Sequence, residues 1–257
     1  MSNVPQIFDT RLRRRRRTRA AQQFDAYAFL ATRARDEIEE RLAAINPPIR
    51  AAVWRGATAP PQGGTHWIGA DSVLAILPAG GVVFDDEAIP FGDGTLDAYV
   101  SVLMLHGVND LPGSLAQIRR CLKPKGLFMA ALFGGQTLQE LKLALGEAEI
   151  EITGGLSPRV APTVDVRDAG ALLQRAGFAL PVSDVETITV RYEHPLKLLA
   201  DLRGMGETNV LAERRPTFLR RTVLQRACDI YVEKFAGPDA RVPATFEMLY
   251  LTGWAPG

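Results

Sequence analysis

Cysteine, histidine and long apolar runs are all scarce in this chain. Its 257 residues include two cysteines, Cys121 and Cys228, and three histidines. Two cysteines make no disulfide framework, so a reducing compartment is the expectation. No apolar run reaches the roughly 18 residues that a membrane helix needs. No grouping of His, Asp and Glu has the spacing of an iron or zinc site, which counts against a conventional metal-dependent enzyme. There is no nucleophile elbow, phosphate-binding loop, internal repeat or low-complexity linker. What is present is 47% hydrophobic and 23% charged sequence. That composition suits one globular domain with a large core.

The net charge of +1 hides an asymmetry. Residues 11–19, "RLRRRRRTR", carry seven arginines and no acid, and the remaining 23 basic and 29 acidic residues leave the body at −6. No apolar stretch flanks the run, so it is not a secretory signal. Asp9 just before it, and five adjacent arginines with no apolar face, argue against a mitochondrial presequence. A cytoplasmic chain is expected, reaching an inner membrane surface through a partner. Such a run can neutralise phosphates. With no aromatic residue interleaved and an acidic body, no specific nucleic acid is expected. The run reads instead as a solvated helical face, an arm docking on a partner, or a cover for a ligand site. We set it apart as residues 1–22, followed by a single domain at 23–257.

Along the chain, Phe24, Tyr27, Ala28, Ala31, Ala34, Ile38 and Leu42 recur at helical spacing until "NPP" (46–48) ends the pattern. Short apolar runs follow at 51–54, 66–70, 81–84, 96–105 and 126–133. Their continuity predicts strands buried on both faces, as in a parallel sheet. A helix with Pro112 in its first turn and a Lys-Pro-Lys-Gly stop lies between the fourth and fifth. Helices at 136–150, 165–178, 195–204 and 216–235, and strands at 186–192 and 244–254, complete a doubly wound α/β sheet with an antiparallel end.

The central block "VVFDDEAIPFGDGTLDAYVSVLMLHGVNDLPGSLAQIRRCLKPKGLFMAALFGG" (82–135) resembles the class I S-adenosylmethionine-dependent methyltransferases, in particular the type 11 enzymes of the biotin and ubiquinone pathways. The flanks, "IFDTRLRRRRRTRAA" (7–21), "GGLSPRVAPTVDVRDAGALLQRAGF" (154–178), "DLRGMGETN" (201–209) and "VPATFEMLYLTGW" (242–254), resemble the mitochondrial complex I assembly factor 5 family and its bacterial relatives. The resemblance implies a Rossmann-like fold with a mostly parallel, twisted sheet and an antiparallel C-terminal strand. It also implies a link to a subunit of respiratory NADH dehydrogenase, and in the mitochondrial member arginine hydroxylation rather than methyl transfer.

It further implies a place for S-adenosylmethionine. Asp71, ending "HWIGAD", matches the acid that bonds the ribose, although it could equally cap the turn that follows. Asp85 matches the acid that bonds the adenine amine, with Asp86, Glu87, Ala88 and Ile89 lining the base; Ser101 on the fourth strand completes the set. The first loop departs from the pattern. "WRGATAP" stands where the family has Asp-x-Gly-x-Gly, and only Gly56 aligns. Neighbouring parallel strands need a crossover of a dozen or more residues, usually helical, yet 56–64 is short and broken by Pro60 and Pro61. The cofactor site is therefore expected to be eroded. His106, just past the fourth strand, is placed as a base or a substrate-orienting group, or as a structural residue. Asn109 is the other catalytic candidate. "GGLSPRVAP" and "GMGETN" read as lid loops or simple connectors. Three functions stay open: an enzyme modifying a protein side chain, a non-catalytic assembly scaffold, and a conventional methyltransferase.

Overall fold

The computed structural model describes residues 4–63, 65–77 and 79–257. Seven strands form one sheet: β1 (Ala51–Arg55), β2 (His66–Asp71), β3 (Val82–Val83), β4 (Leu96–Val102), β5 (Leu122–Phe133), β6 (Ala179–Tyr192) and β7 (Val242–Trp254). Their order is β3-β2-β1-β4-β5-β7-β6. The first five run parallel, and β7 lies antiparallel between β5 and β6. This is the mostly parallel class I arrangement expected from the sequence.

Strand periodicity divides the core into two layers. Ala52 and Trp54 of β1, Val100 and Val102 of β4 and Met129 and Ala131 of β5 face one way. They pack under α2 (Phe29–Ile45), whose Leu30, Ala34, Ile38 and Leu42 repeat every four residues. α4 (Gln139–Thr153), α6 (Pro195–Met205) and α7 (Arg221–Phe235) cover the same side. Val53, Tyr99, Phe128, Ala130 and Leu132 face the other way, under α3 (Leu111–Cys121) and α5 (Val166–Arg175).

Two crossovers are cut short. Residues 56–65 join β1 to β2, and their described residues contain no helix. Residues 72–81 join β2 to β3 with only a 3-10 turn, Leu74–Ile76. The shortening expected after β1 is thus present, and the next link is shortened too. With no helix over them, His66 stays exposed and Trp67, Ile68 and Gly69 are only half-buried, whereas β4 and β5 are buried almost throughout. Amides of β2 are accordingly expected to exchange with deuterium well before those of β5, whose opening requires global unfolding; equal protection of the two strands would refute this.

Several boundaries differ from the expectation. The helix expected over 24–44 is a 3-10 stretch, Ala21–Tyr27, followed by α2; no side chain caps the start of either. α2 ends on Asn46, whose left-handed backbone (φ 44°) returns its N–H to Leu42. β4 stops at Val102 rather than 105 because Leu103 turns to φ 51°. β6 starts seven residues earlier than expected, since Pro181 breaks no ladder on an edge strand. The last helix begins at Arg221, after a loop over 212–220. The loop over 154–162 holds no regular element, as its Gly and Pro content implied.

The arginine run folds as α1 (Thr10–Ala20). Asp9 caps it, accepting the Leu12 N–H at 2.9 Å. Residues before it clamp onto the chain near 210: Asp9 N–H donates to Val210 and Ala212 N–H to Ile7. α1 lies against the rest of the chain with Arg13, Arg17 and Ala20 buried.

Candidate functional site

The carboxyl ends of β1, β2 and β4 are where a class I fold places its ligand. Here they meet three buried guanidinium groups. Alternation along β1 sends Trp54 to the α2 side, where it stacks edge-on with Trp67 at 5.4 Å. Arg55 therefore points to the other side and is fully buried. Its Nε and Nη2 donate to the two oxygens of Asp86 at 2.9 and 2.8 Å, and Nη2 also reaches the Phe84 carbonyl at 3.2 Å. The guanidinium lies 4.5 Å above the Phe84 ring. Burial alone would raise the Asp86 pKa, but the Arg55 charge and hydrogen bonds outweigh it and hold the carboxyl below its usual range.

Asp71, the ribose acid of the resemblance, is fully buried at the end of β2. Arg17 Nη2 donates to its Oδ2 at 2.7 Å, and the Val73 N–H to its Oδ1 at 3.0 Å. Both oxygens are engaged by the chain itself. Arg13, one turn earlier on α1, donates to the Met104 and Gly107 carbonyls at 2.7 and 3.2 Å. Gly107 has to be glycine for this, because a Cβ there would lie 2.5 Å from the Arg13 guanidinium carbon. Three arginines thus face three acids, Asp71, Asp86 and Glu207, in a network without net charge.

Gly56, the one aligned residue of the first loop, has a reason to be glycine that involves no ligand. Its φ is +133°, and a Cβ would meet the Val102 carbonyl at 2.6 Å. Its N–H closes onto Ala70 at 2.9 Å. Downstream, Asp85 accepts the Glu87 N–H at 3.1 Å in a tight turn closed onto Ala88. Glu87 accepts the Asn109 N–H at 2.6 Å, and the Gln117 side chain clasps both the Glu87 carbonyl and the Ile89 N–H. Ile89 is buried, Ala88 exposed. Ser101 is fully buried, and its hydroxyl has no partner among the described residues.

His106 sits in a 3-10 turn, Leu105–Gly107, with Nε2 3.1 Å from Glu207 and its ring 4.8 Å from that of Phe133. Its Nδ1 is buried without a partner among the described residues. Burial pushes the Glu207 carboxyl up, but His106, Arg13 and Arg17 together bring it down to about 2. Beside this pair lies a small cleft, with room of about 20 Å³, walled by Phe24, Tyr27, Leu30, Leu103, Phe133 and Met205, with Arg17 and Glu207 as its charged lining.

Asn109 is brought close but differently occupied. Its Oδ1 accepts the Phe8 N–H at 2.7 Å and its Nδ2 donates to the Phe8 carbonyl at 3.3 Å, so both polar atoms pin the N-terminal segment. Asn109→Ala is expected to cost about 1–2 kcal/mol, with faster amide exchange at Phe8 and Asp9; unchanged exchange there would remove this role.

Of the candidates, the structure gathers Gly56, Asp71, Asp86, Ser101 and His106 around the strand ends, and places Asp85, Glu87, Ala88 and Ile89 on the neighbouring turn. Sequence reasoning missed Arg13, Arg17, Arg55 and Glu207. Two signals existed: Arg55 is a charged residue ending an apolar strand beside the aligned Gly56, and Glu207 lies inside "GMGETN".

Comparison with known proteins follows the same line. A family model described as a methyltransferase domain matches residues 71–130. The zebrafish (Danio rerio) protein named arginine-hydroxylase NDUFAF5, mitochondrial, is 43% identical over 180 residues, 70% of this chain and 56% of that protein. A malonyl-[acyl-carrier protein] O-methyltransferase of Xylella fastidiosa is 29% identical over 97% of this chain and 89% of its own. The chain spans about half the length of the curated arginine-hydroxylase relatives it matches. Among solved structures, YcgJ of Bacillus subtilis shares the fold with a TM-score of 0.54, at 11% identity, over 84% of this chain and 97% of that one.

Proposed function

This chain belongs to the class I methyltransferase superfamily, and from that premise we propose that it serves the assembly of a respiratory NADH dehydrogenase by gripping one of its subunits, with its S-adenosylmethionine site closed. The observation that carries the reading is the Arg17–Asp71 ion pair at the ribose position. A ribose could bond Asp71 only by displacing a buried guanidinium. Removing one partner of a buried pair costs about 3–5 kcal/mol, so a ribose must first offset that cost with hydrogen bonds to the carboxylate worth about 1.5–3 kcal/mol each. A methionine carboxylate would ordinarily sit at a helix N-terminus, and the described residues of 56–65 form no helix. In this reading the residues present do not fit the cofactor.

The partner is carried over from the resemblance of the flanking segments to the complex I assembly factor family, alongside the 43% identity to the zebrafish protein named arginine-hydroxylase NDUFAF5. Titration of the purified chain with S-adenosylmethionine in a calorimeter tests the closed site. No heat is expected up to about millimolar ligand, weaker than the roughly −4 kcal/mol that a millimolar dissociation constant represents. Micromolar binding would restore alkyl transfer.

A second reading, modification of a partner's side chain, has one observation in its favour. The apolar cleft ends on Glu207 and Arg17 beside His106, a concave site with a few converging polar groups. His106→Ala separates the two: loss of a modification on a co-purified subunit supports chemistry, and retention of complex assembly without any modification supports the scaffold.

A further inference from the structure

α1 has two cationic faces, and the site above uses only one. Arg13 and Arg17 turn inwards, while Arg11, Arg14, Arg15 and Arg19 are exposed. Among the described residues, none of these four is in an ion pair. Alongside lies the segment 208–214, tied to the helix by Arg16, which donates to the Thr208 hydroxyl at 2.7 Å and to the Asn209 carbonyl. Arg214 reaches Asp9 at 3.1 Å, so the basic surface runs on from the helix into the next loop. Arg16 feels that crowding: burial lowers its pKa, and the like charges of Arg214 and Arg19 lower it further.

The loop itself reads Arg214-Arg215-Pro216-Thr217-Phe218-Leu219-Arg220-Arg221. Phe218 is fully exposed at 101%, while Arg215, Arg220 and Arg221 are exposed around it. Glu213 is the one acid within 212–221. A lone phenyl ring held in water between two arginine pairs has no folding role. Arg214 and Arg215 are held by Asp9 at 3.1 Å and Glu149 at 3.7 Å, while Arg220 and Arg221 are in no ion pair among the described residues; at a bilayer interface these free guanidinium forks pair with lipid phosphates, and the ring enters the acyl boundary. An acidic protein segment would suit the arginines and leave the ring without a shaped pocket.

We propose that the outer face of α1 and the loop 214–221 together dock this protein on an anionic phospholipid surface, with Phe218 as the inserted tip. The attachment is peripheral, and among the described residues no helix is long and apolar enough to cross a membrane.

Co-sedimentation of the full chain with vesicles tests it, using phosphatidylcholine alone or mixed with phosphatidylglycerol. Binding is expected only to the mixed vesicles, and it should vanish in about 1 M salt, where charge is screened within roughly 3 Å. Replacing Arg11, Arg14, Arg15 and Arg19 together by glutamine should lower partitioning at least about 100-fold, given about fivefold for each charge near the surface. Phe218→Ser should lower it about tenfold at unchanged thermal stability, and this single variant keeps the test open if the fourfold one folds poorly. No binding to the mixed vesicles, equal binding to neutral ones, or full binding by both variants would overturn the proposal. So would tight binding of polyglutamate without vesicle binding, which would assign the face to an acidic protein.

Discussion

Replacing Arg55 by methionine should destabilise the protein by about 3–5 kcal/mol, the cost of leaving a buried carboxylate uncompensated. The urea midpoint reads the loss directly. Asp86→Leu should cost a similar amount, because it strands the guanidinium instead. The double variant is the informative one. Arg55 and Asp86 are both buried and bonded mainly to each other, and Arg55 Nη1 has no partner among the described residues. Exchanging the pair for apolar groups of similar volume should therefore recover most of the loss and end within about 1–2 kcal/mol of the native chain. Additive losses would mean that the two residues are held by something other than one another. Recovery would mean that an ion pair, and no ligand, is what this end of β1 is built around.

The same residues show what could be read without coordinates. The doubly wound sheet with its antiparallel end and the truncated first crossover follow from apolar periodicity and residue counting. β4 and β5 announce themselves by continuous apolar runs, and Pro60 and Pro61 forbid a helix over 56–65. Asp71 was placed by the family resemblance, and His106 by its position just past the carboxyl end of the fourth apolar run. The arginines were not. The buried stripe of α1 is Arg13, Arg17 and Ala20, which to any count of apolar residues is a solvated surface. Only the facing carbonyls of Met104 and Gly107 and the carboxylate of Asp71, about 50 to 90 positions away, make it an inner face. Covering a ligand site was among the readings open for the arginine run, and it is the one that the burial of Arg13 and Arg17 supports.

Asn109 and Gly56 teach the complementary lesson. Each stands where a ligand contact would stand, and each has a steric or hydrogen-bonding duty that accounts for it without a ligand. A residue matching a motif position can be retained by the fold alone, so a motif match says less about a cofactor than the occupancy of its polar atoms does. By that measure Asp71, with both oxygens engaged, is the decisive residue of the site.

Acid should unfold this protein through two carboxylates. Glu207 is held at about 2 against burial by His106 and the arginines of α1. Glu149 is also held at about 2: burial raises it, and Arg159 together with the Ser157 hydroxyl and N–H more than offsets the rise. Glu149 accepts from Ser157 at 2.6 and 2.9 Å and from Arg159 at 2.7 Å, pinning the loop over 154–162 onto α4. Both pKa values are depressed in the folded state. Their contribution is therefore complete above the unfolded value of 4.5 and is lost as pH falls towards 2. Each group carries on the order of 3 kcal/mol across that window. Glu149→Gln and Glu207→Gln should each lower stability at pH 7 and narrow the gap to the native chain as pH drops from 5 to about 2.5, and the double variant should lose their share of the acid limb of the stability curve, leaving that of Asp86, Asp9 and Asp97. Urea midpoints at a series of pH values measure this. A native chain and double variant that lose stability in parallel down to pH 2.5 would place the acid-sensitive groups elsewhere. A convergence of the two curves would tie the anchoring of the loop over 154–162, and the Glu207 contacts with His106 and α1, to these two ionised carboxylates.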